Sequence, residues 1–171
     1  MKALIPGSFD PITNGHLDII RRAASMFETV TVGVFVNPSK DYLFPADVRA
    51  EMIIDATKNI PNVNVVVDSG YVADYCKLYN IGAIVKGVRN KEDFEYELKM
   101  AKYNKERNPD AETVFLPACD GMADVSSTAV RQRLLADLDI SNLVPKPVSN
   151  KIKEHNCYLS NNKGYKLSNE H

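Results

Sequence analysis

The chain has 171 residues, of which 44% are hydrophobic and 25% charged, and its formal net charge is −1. That length suits one domain with a single sizeable core, and the composition is that of an ordinary globular protein. No net field is available to hold nucleic acid or an anionic membrane, so any anion site must be assembled locally, which favours a small phosphorylated ligand.

The start, Met1-Lys2-Ala3-Leu4-Ile5-Pro6-Gly7, breaks its apolar run after three residues, which is too soon for a signal peptide. Ala3-Leu4-Ile5 reads as a first strand ended by Pro6-Gly7. After His16, the residues Leu17, Ile20, Ala24 and Phe27 fall on one helical stripe. Thr29 to Val36 is rich in β-branched residues and predicts a second strand. From Pro45, the spacing of Val48, Met52 and Ala56 predicts a helix with those residues inward. Val63 to Val67 predicts a third strand, and Val72, Tyr75, Cys76 and Tyr79 a third helix. Ala83-Ile84-Val85 is a fourth strand, and Phe94, Leu98 and Ala101 mark a fourth helix. Thr113 to Leu116 is a fifth strand, and Ser126 or Ser127 is a natural N-cap for a helix through Val130 and Leu134.

Continuously apolar strands separated by helices predict a single-domain, Rossmann-like α/β fold, a doubly wound five-stranded parallel sheet with helices on both faces. The expected organisation is one domain over residues 1–150 and a polar tail over 151–171. Within the tail, Tyr158-Leu159 and Tyr165-Lys166-Leu167 flank the turn signal Asn161-Asn162-Lys163-Gly164, so a short hairpin competes with a plain surface tail. No stretch approaches the length of a membrane span. Cys76, Cys119 and Cys157 are odd in number and far apart, which argues against zinc or a disulfide framework and for a reducing cytoplasm.

In doubly wound sheets ligands bind beyond the carboxyl ends of the strands, so the informative segments are the strand-to-helix loops. In Gly7-Ser8-Phe9-Asp10-Pro11-Ile12-Thr13-Asn14-Gly15-His16, Gly7 is expected to supply an unusual backbone conformation close to a phosphate. The loop feeds a helix whose first N–H groups lack internal partners. Thr13 and His16 are three apart and project to one side, with Gly15 between them leaving room for a nucleotide. By itself His16 equally suits a capping or packing role. Lys40, after the second strand, is either a solvated charge or a point charge at a phosphate. Lys86 and Arg89 are expected to flank a flexible Gly87 after the fourth strand as an anion clamp, with a surface turn as the alternative. Asp93 to Glu97 alone reads as an acidic first turn that complements a helix dipole. Ser126, Ser127 and Thr128 supply three hydroxyls where a cap needs one.

The loop Gly7–His16 resembles the T/H-x-G-H signature of the nucleotidyltransferase superfamily. In detail the chain resembles the bacterial phosphopantetheine adenylyltransferases over Lys2 to Val148. The resemblance includes Asn-Pro-Ser-Lys at 37–40, Gly-Val-Arg at 87–89, Asp-Phe-Glu-Tyr-Glu at 93–97 and Val-Ser-Ser-Thr at 125–128. It implies transfer of an adenylyl group from ATP to 4′-phosphopantetheine, giving dephospho-coenzyme A and pyrophosphate. It implies His16 and Lys40 as catalytic residues, and ATP contacts at Ser8, Phe9, His16, Gly87, Val88, Arg89, Glu97, Met122, Ala123, Asp124, Val125, Ser126, Ser127 and Thr128. It implies acceptor contacts at Ser8, Lys40, Val72 and Lys86, although Val72 reads as core from its spacing. Lys86 stands where the family usually has arginine, so the charge is kept and the bidentate fork lost.

The resemblance also implies Mg²⁺ carried mainly on ATP phosphates with no dedicated protein metal site, a homohexamer, and feedback binding of coenzyme A. It implies neither nucleic acid nor membrane as a partner. The competing reading within enzymes is an adenylyl- or cytidylyltransferase for another small phosphate, such as nicotinamide mononucleotide. The competing reading outside enzymes is a regulatory nucleotide-binding module.

Overall fold

The structure is a computed structural model that describes residues 1–122 and 124–161, with side chains placed through 155 apart from residue 123. Strands and helices alternate as β1 (Lys2–Gly7), α1 (Asn14–Met26), β2 (Thr29–Phe35), α2 (Ala46–Thr57), β3 (Val63–Asp68) and α3 (Val72–Tyr79). They continue as β4 (Ala83–Val88), α4 (Lys91–Arg107), β5 (Glu112–Pro117), α5 (Ser127–Leu135) and α6 (Lys146–Asn161). All five expected strands form, in one parallel sheet of order β3-β2-β1-β4-β5.

Alternation along the inner strands explains why they read as unbroken apolar runs. Leu4 and Ile84 face one side of the sheet, where they pack with Cys76 of α3, Ile81 and Ala111. Ala3, Ile5, Ala83 and Val85 face the other side and join Ile20, Met52, Val130, Val148 and Ile152 in the larger core. A strand covered on both faces must be apolar at every position. The chain builds outward from β1 through β2 to β3, then crosses to β4 on the opposite side of β1. That reversal is a topological switch point, where the loops after β1 and β4 diverge and leave a crevice.

Three helices differ from the sequence reading. The inward face of α2 carries Arg49, Met52, Ile53 and Thr57, one step round from the expected Val48, Met52 and Ala56 stripe. Arg49 is therefore buried, at 1% exposure. The expected stripe of α4 is only half covered: Phe94 and Leu98 stay 39% and 36% exposed, and Asn104 is the one buried residue of the helix. This helix packs against α3, β4 and the edge strand β5.

The polar tail expected from 151 onward begins instead as a helix. α6 runs to Asn161, so Tyr158-Leu159 is no hairpin arm; the other proposed arm, Tyr165-Lys166-Leu167, lies outside the described residues. Val148 and Ile152, one helical turn apart, are 0% and 1% exposed in the main core. Burying such side chains contributes roughly 1.5–3 kcal/mol each, enough to dock a polar helix. Lys151 then reaches Glu51 at 2.6 Å and Asp55 at 3.6 Å on α2. Among the described residues no helix is long and apolar enough to cross a membrane.

Candidate active site

The loop from β1 to α1 is shaped by Phe9 rather than by Gly7. Phe9 has φ 49°, in the left-handed region that ordinary residues rarely adopt, while Gly7 lies outside it. Glycine is needed at 7 for space, because a Cβ there would meet the Phe9 ring at 3.0 Å. Phe9 is 3% exposed and stands edge-on to the His16 imidazole, with ring centroids 5.1 Å apart.

Thr13 caps α1 and settles the state of His16. The Thr13 backbone N–H donates to His16 Nδ1 at 3.1 Å, and Thr13 Oγ1 lies 2.9 Å from the same nitrogen. A backbone amide can only donate, so Nδ1 is the bare nitrogen and Nε2 carries the hydrogen. Burial, with the nearby charges of Arg89 and Lys86, pushes the imidazole pKa down to about 4. At neutral pH His16 is thus an uncharged N–H donor that lines the cavity at the switch point.

That cavity, of about 290 Å³, has an apolar floor of Ile5, Ile19 and Val85. Of the sequence-predicted residues, Phe9, His16, Lys86, Gly87, Val88, Arg89 and Glu97 line it, as do Met122, Val125, Ser126, Ser127 and Thr128. Ser8, Lys40, Val72 and Asp124 do not, and Ala123 lies outside the described residues.

Lys86, Gly87 and Val88 are the end of β4 rather than a flexible loop beyond it. Gly87 pairs in register with Leu116, and a Cβ on it would meet Ile19 Cγ1 at 3.0 Å, so glycine here permits close helix–strand packing. Lys86 Nζ lies 3.1 Å from Glu97 Oε2. That oxygen is buried and makes no aligned hydrogen bond, so the pair is held by charge alone. Arg89 forks onto Asp93 at 2.9 and 3.0 Å, which raises the guanidinium pKa and lowers that of the carboxyl. A phosphate entering here would meet cations already oriented by carboxylates.

At the start of α5 each of the three hydroxyls makes a hydrogen bond within the protein, and only Ser127 spends its O–H. Ser126 Oγ accepts from Ala129 N at 3.1 Å, Ser127 Oγ donates to Pro11 O at 2.8 Å, and Thr128 Oγ1 accepts from Arg131 at 3.2 Å. The turn then presents to an anion its first backbone N–H groups together with the Ser126 and Thr128 O–H groups, which their accepting roles leave free to donate. Gly15 is packed against the same segment, since a Cβ there would lie 3.2 Å from Val125 O. Its missing side chain admits the Met122 and Val125 carbonyls, beside the cavity where the sequence reading had expected a nucleotide. Overpacking of this kind costs about 1–3 kcal/mol, so Gly15→Ala is expected to displace that segment and raise the KM for ATP roughly tenfold. An unchanged KM in a titration of initial rates against ATP would show that the segment yields freely.

Lys40 ends an exposed turn beyond β2, the neighbour of β1, with its N–H on Asn37 O at 3.0 Å. Val72 opens α3 and packs on the smaller core, so its core reading and its place at the carboxyl edge hold together.

Sequence reasoning missed three residues beneath the site. Asp10, 3% exposed, accepts Leu43 N–H at 2.8 Å and Phe44 N–H at 2.9 Å through its two carboxylate oxygens. Arg131 donates to Asp10 O at 2.8 Å. Arg49 donates to Phe44 O at 2.9 Å and to Ser8 O at 2.5 Å. The signal available was a lone acid within the loop and an arginine in an apolar helix, neither of which names a partner.

A sheet edge of this kind is built for phosphates carried on a nucleotide, and the class it defines is the nucleotidyltransferases. Residues 4–133 match the cytidylyltransferase-like family. The phosphopantetheine adenylyltransferase of Clostridium tetani is 47% identical over 161 residues, 94% of this chain and 98% of that protein. The enzyme of the same name from Haemophilus influenzae is 44% identical over 150 residues, 88% of this chain and 96% of its own. That of Caldanaerobacter subterraneus is 42% identical over 152 residues, covering 89% and 95%. The chain belongs to the cytidylyltransferase-like family and, within it, to the phosphopantetheine adenylyltransferases.

Proposed function

We propose that the chain transfers the adenylyl group of ATP to the phosphate of 4′-phosphopantetheine. An oxygen of the acceptor phosphate attacks the α-phosphorus, the bond from that phosphorus to the β-phosphate bridge breaks, and pyrophosphate leaves. The product is dephospho-coenzyme A, and the exchange is reversible. The observation that carries this reading is His16, a neutral Nε2–H donor at the switch point with Lys86 and Arg89 close enough to depress its pKa.

The nucleophile is an anion at neutral pH, so no general base is required, and a histidine kept unprotonated suits donation better than proton abstraction. Catalysis then rests on in-line positioning and on donors aimed where charge builds. His16 donates to an α-phosphate oxygen, Arg89 and the α5 amides hold the remaining phosphates, and Lys40 and Lys86 hold the acceptor phosphate. Mg²⁺ carried on ATP would supply charge neutralisation at the phosphates and would need few protein ligands. Among the described residues no three His, Cys, Asp or Glu gather at one point.

The half-exposed apolar residues of α4 support the expected homohexamer, and feedback by coenzyme A would follow from its likeness to the product. The free Cys76 and Cys119 support a reducing, cytoplasmic setting.

Mixing the protein with ATP, Mg²⁺ and 4′-phosphopantetheine is expected to release pyrophosphate, and nicotinamide mononucleotide in place of the acceptor is not. Release with the second acceptor alone would reassign the substrate, and release with neither would point to a binding module. Lys86→Arg is expected to keep kcat within roughly threefold, because charge is retained and a fork is added. A dead variant in the same assay would mean that the Lys86–Glu97 pair has a role of its own.

A further inference from the structure

Arg49 occupies a position that an apolar side chain would fill at lower cost. Its helical neighbours Met52 and Ile53 are fully buried and apolar, and Arg49 itself is 1% exposed. Burying a guanidinium is expensive unless its donors and charge are matched, so a purely structural core position would not select one. Here the matches all lie on two other segments. Nη1 donates to Ser8 O in the loop after β1, and Nε donates to Phe44 O in the segment after β2. The guanidinium carbon stands 4.0 Å from the centroid of the Tyr42 ring. The Tyr42 hydroxyl in turn accepts the Asn37 N–H at 2.8 Å, and Asn37 O accepts the Lys40 N–H at 3.0 Å.

We propose that Arg49 is a positioning residue that sets the Lys40 turn against the Ser8–His16 loop, and so fixes the acceptor phosphate relative to the phosphorus it attacks. This rests on the adenylyl-transfer reading above. A side chain that reaches both loops through one rigid plane holds their separation, and in-line attack is sensitive to errors of about 1 Å. Arg49 meets the nucleotide side only through the Ser8 carbonyl and donates no hydrogen bond to β4, α4 or α5, so its loss should fall more heavily on the acceptor than on ATP.

The test is Arg49→Lys in the full chain. An ammonium keeps the charge but cannot donate along both directions while stacking on Tyr42. The KM for 4′-phosphopantetheine is expected to rise, and kcat to fall, each on the order of tenfold, with ATP affinity measured without acceptor unchanged within about twofold. Amide exchange at Asn37 and Ser39 is expected to accelerate, whereas that at Ala129 of the α5 cap is not, and this readout needs no turnover. Tyr42→Phe, which removes only the hydroxyl that receives Asn37, is expected to move acceptor KM and Asn37 exchange in the same direction by less. A folded Arg49→Lys with wild-type acceptor kinetics and wild-type exchange would overturn the proposal, as would equal losses for ATP and acceptor. Should Arg49→Lys fail to fold, wild-type values in Tyr42→Phe would overturn it too. A wild-type chain that releases no pyrophosphate counts against adenylyl transfer, and the exchange data still decide the role of Arg49.

Discussion

His16→Ala is expected to lower kcat by roughly 10²–10³ while ATP affinity changes by no more than a few-fold, since loss of one preorganised donor typically costs that much in rate. The asymmetry follows from where charge develops. In the ground state the α-phosphate oxygens are already solvated or paired; in the transition state extra charge gathers on them, and a fixed Nε2–H gains most there. Thr13 N–H on Nδ1 and the Phe9 ring edge hold the imidazole in place beforehand. Single-turnover rates together with equilibrium ATP binding check this, and equal losses in both would make His16 a binding residue.

The same environment predicts a pH dependence. With a folded-state pKa of about 4 against an ordinary 6.5, the unfolded chain takes up a proton between those values that the folded chain refuses. His16 therefore lowers stability as pH falls from 6.5 to about 4 and contributes no such penalty above that window. The kcat profile is expected to lack any limb from His16 ionisation at neutral pH, in keeping with a donor that is never an acid reservoir.

Asp10→Ala is expected to cost about 3–5 kcal/mol of stability, because it leaves two buried N–H groups without acceptors and removes a counter-charge near Arg49. For a domain of this size that corresponds to a fall in melting temperature of roughly 10 °C. Asp10 joins the loop after β1 to Leu43 and Phe44, so the acceptor side should be disordered as well and kcat should drop. Asp10→Asn keeps one acceptor oxygen and is expected to fall between wild type and alanine. If thermal melts of Asp10→Ala and wild type coincide, water must replace the carboxylate and the two loops do not depend on it.

Much of the fold was legible because a parallel sheet imposes a local pattern. Thr29 to Val36 and Ala83 to Val85 are apolar or β-branched for a reason that each strand carries in itself, namely cover on both faces. The Gly7–His16 loop was legible as a motif for the same kind of reason: a cap, a histidine and a tight turn lie within ten residues. The reading went astray where the cause was distant. Gly7 was expected to bend the chain, but the bend is at Phe9 and Gly7 makes room for its ring. Gly87 was expected to flex, but Ile19 of α1 is what requires it. α6 went unseen because Val148 and Ile152 are the only two aliphatic positions between 146 and 155, in an otherwise polar stretch that packs against α2.

The amino-acid order by itself determined the parallel α/β sheet, the helix that follows the Gly7–His16 loop and the presence of phosphate-suited residues near the strand ends, because all of these are written in short-range periodicity and local motif. Only the tertiary structure decided that His16 is neutral with its hydrogen on Nε2, that Ser127 of α5 spends its hydroxyl on Pro11, and that Arg49 lies beneath two loops. Ser8 and Arg49 are 41 positions apart in the chain, and Asp10 and Phe44 are 34 apart. Contacts at that separation are chosen by how the layers close on each other, and neither partner carries a local mark of the other.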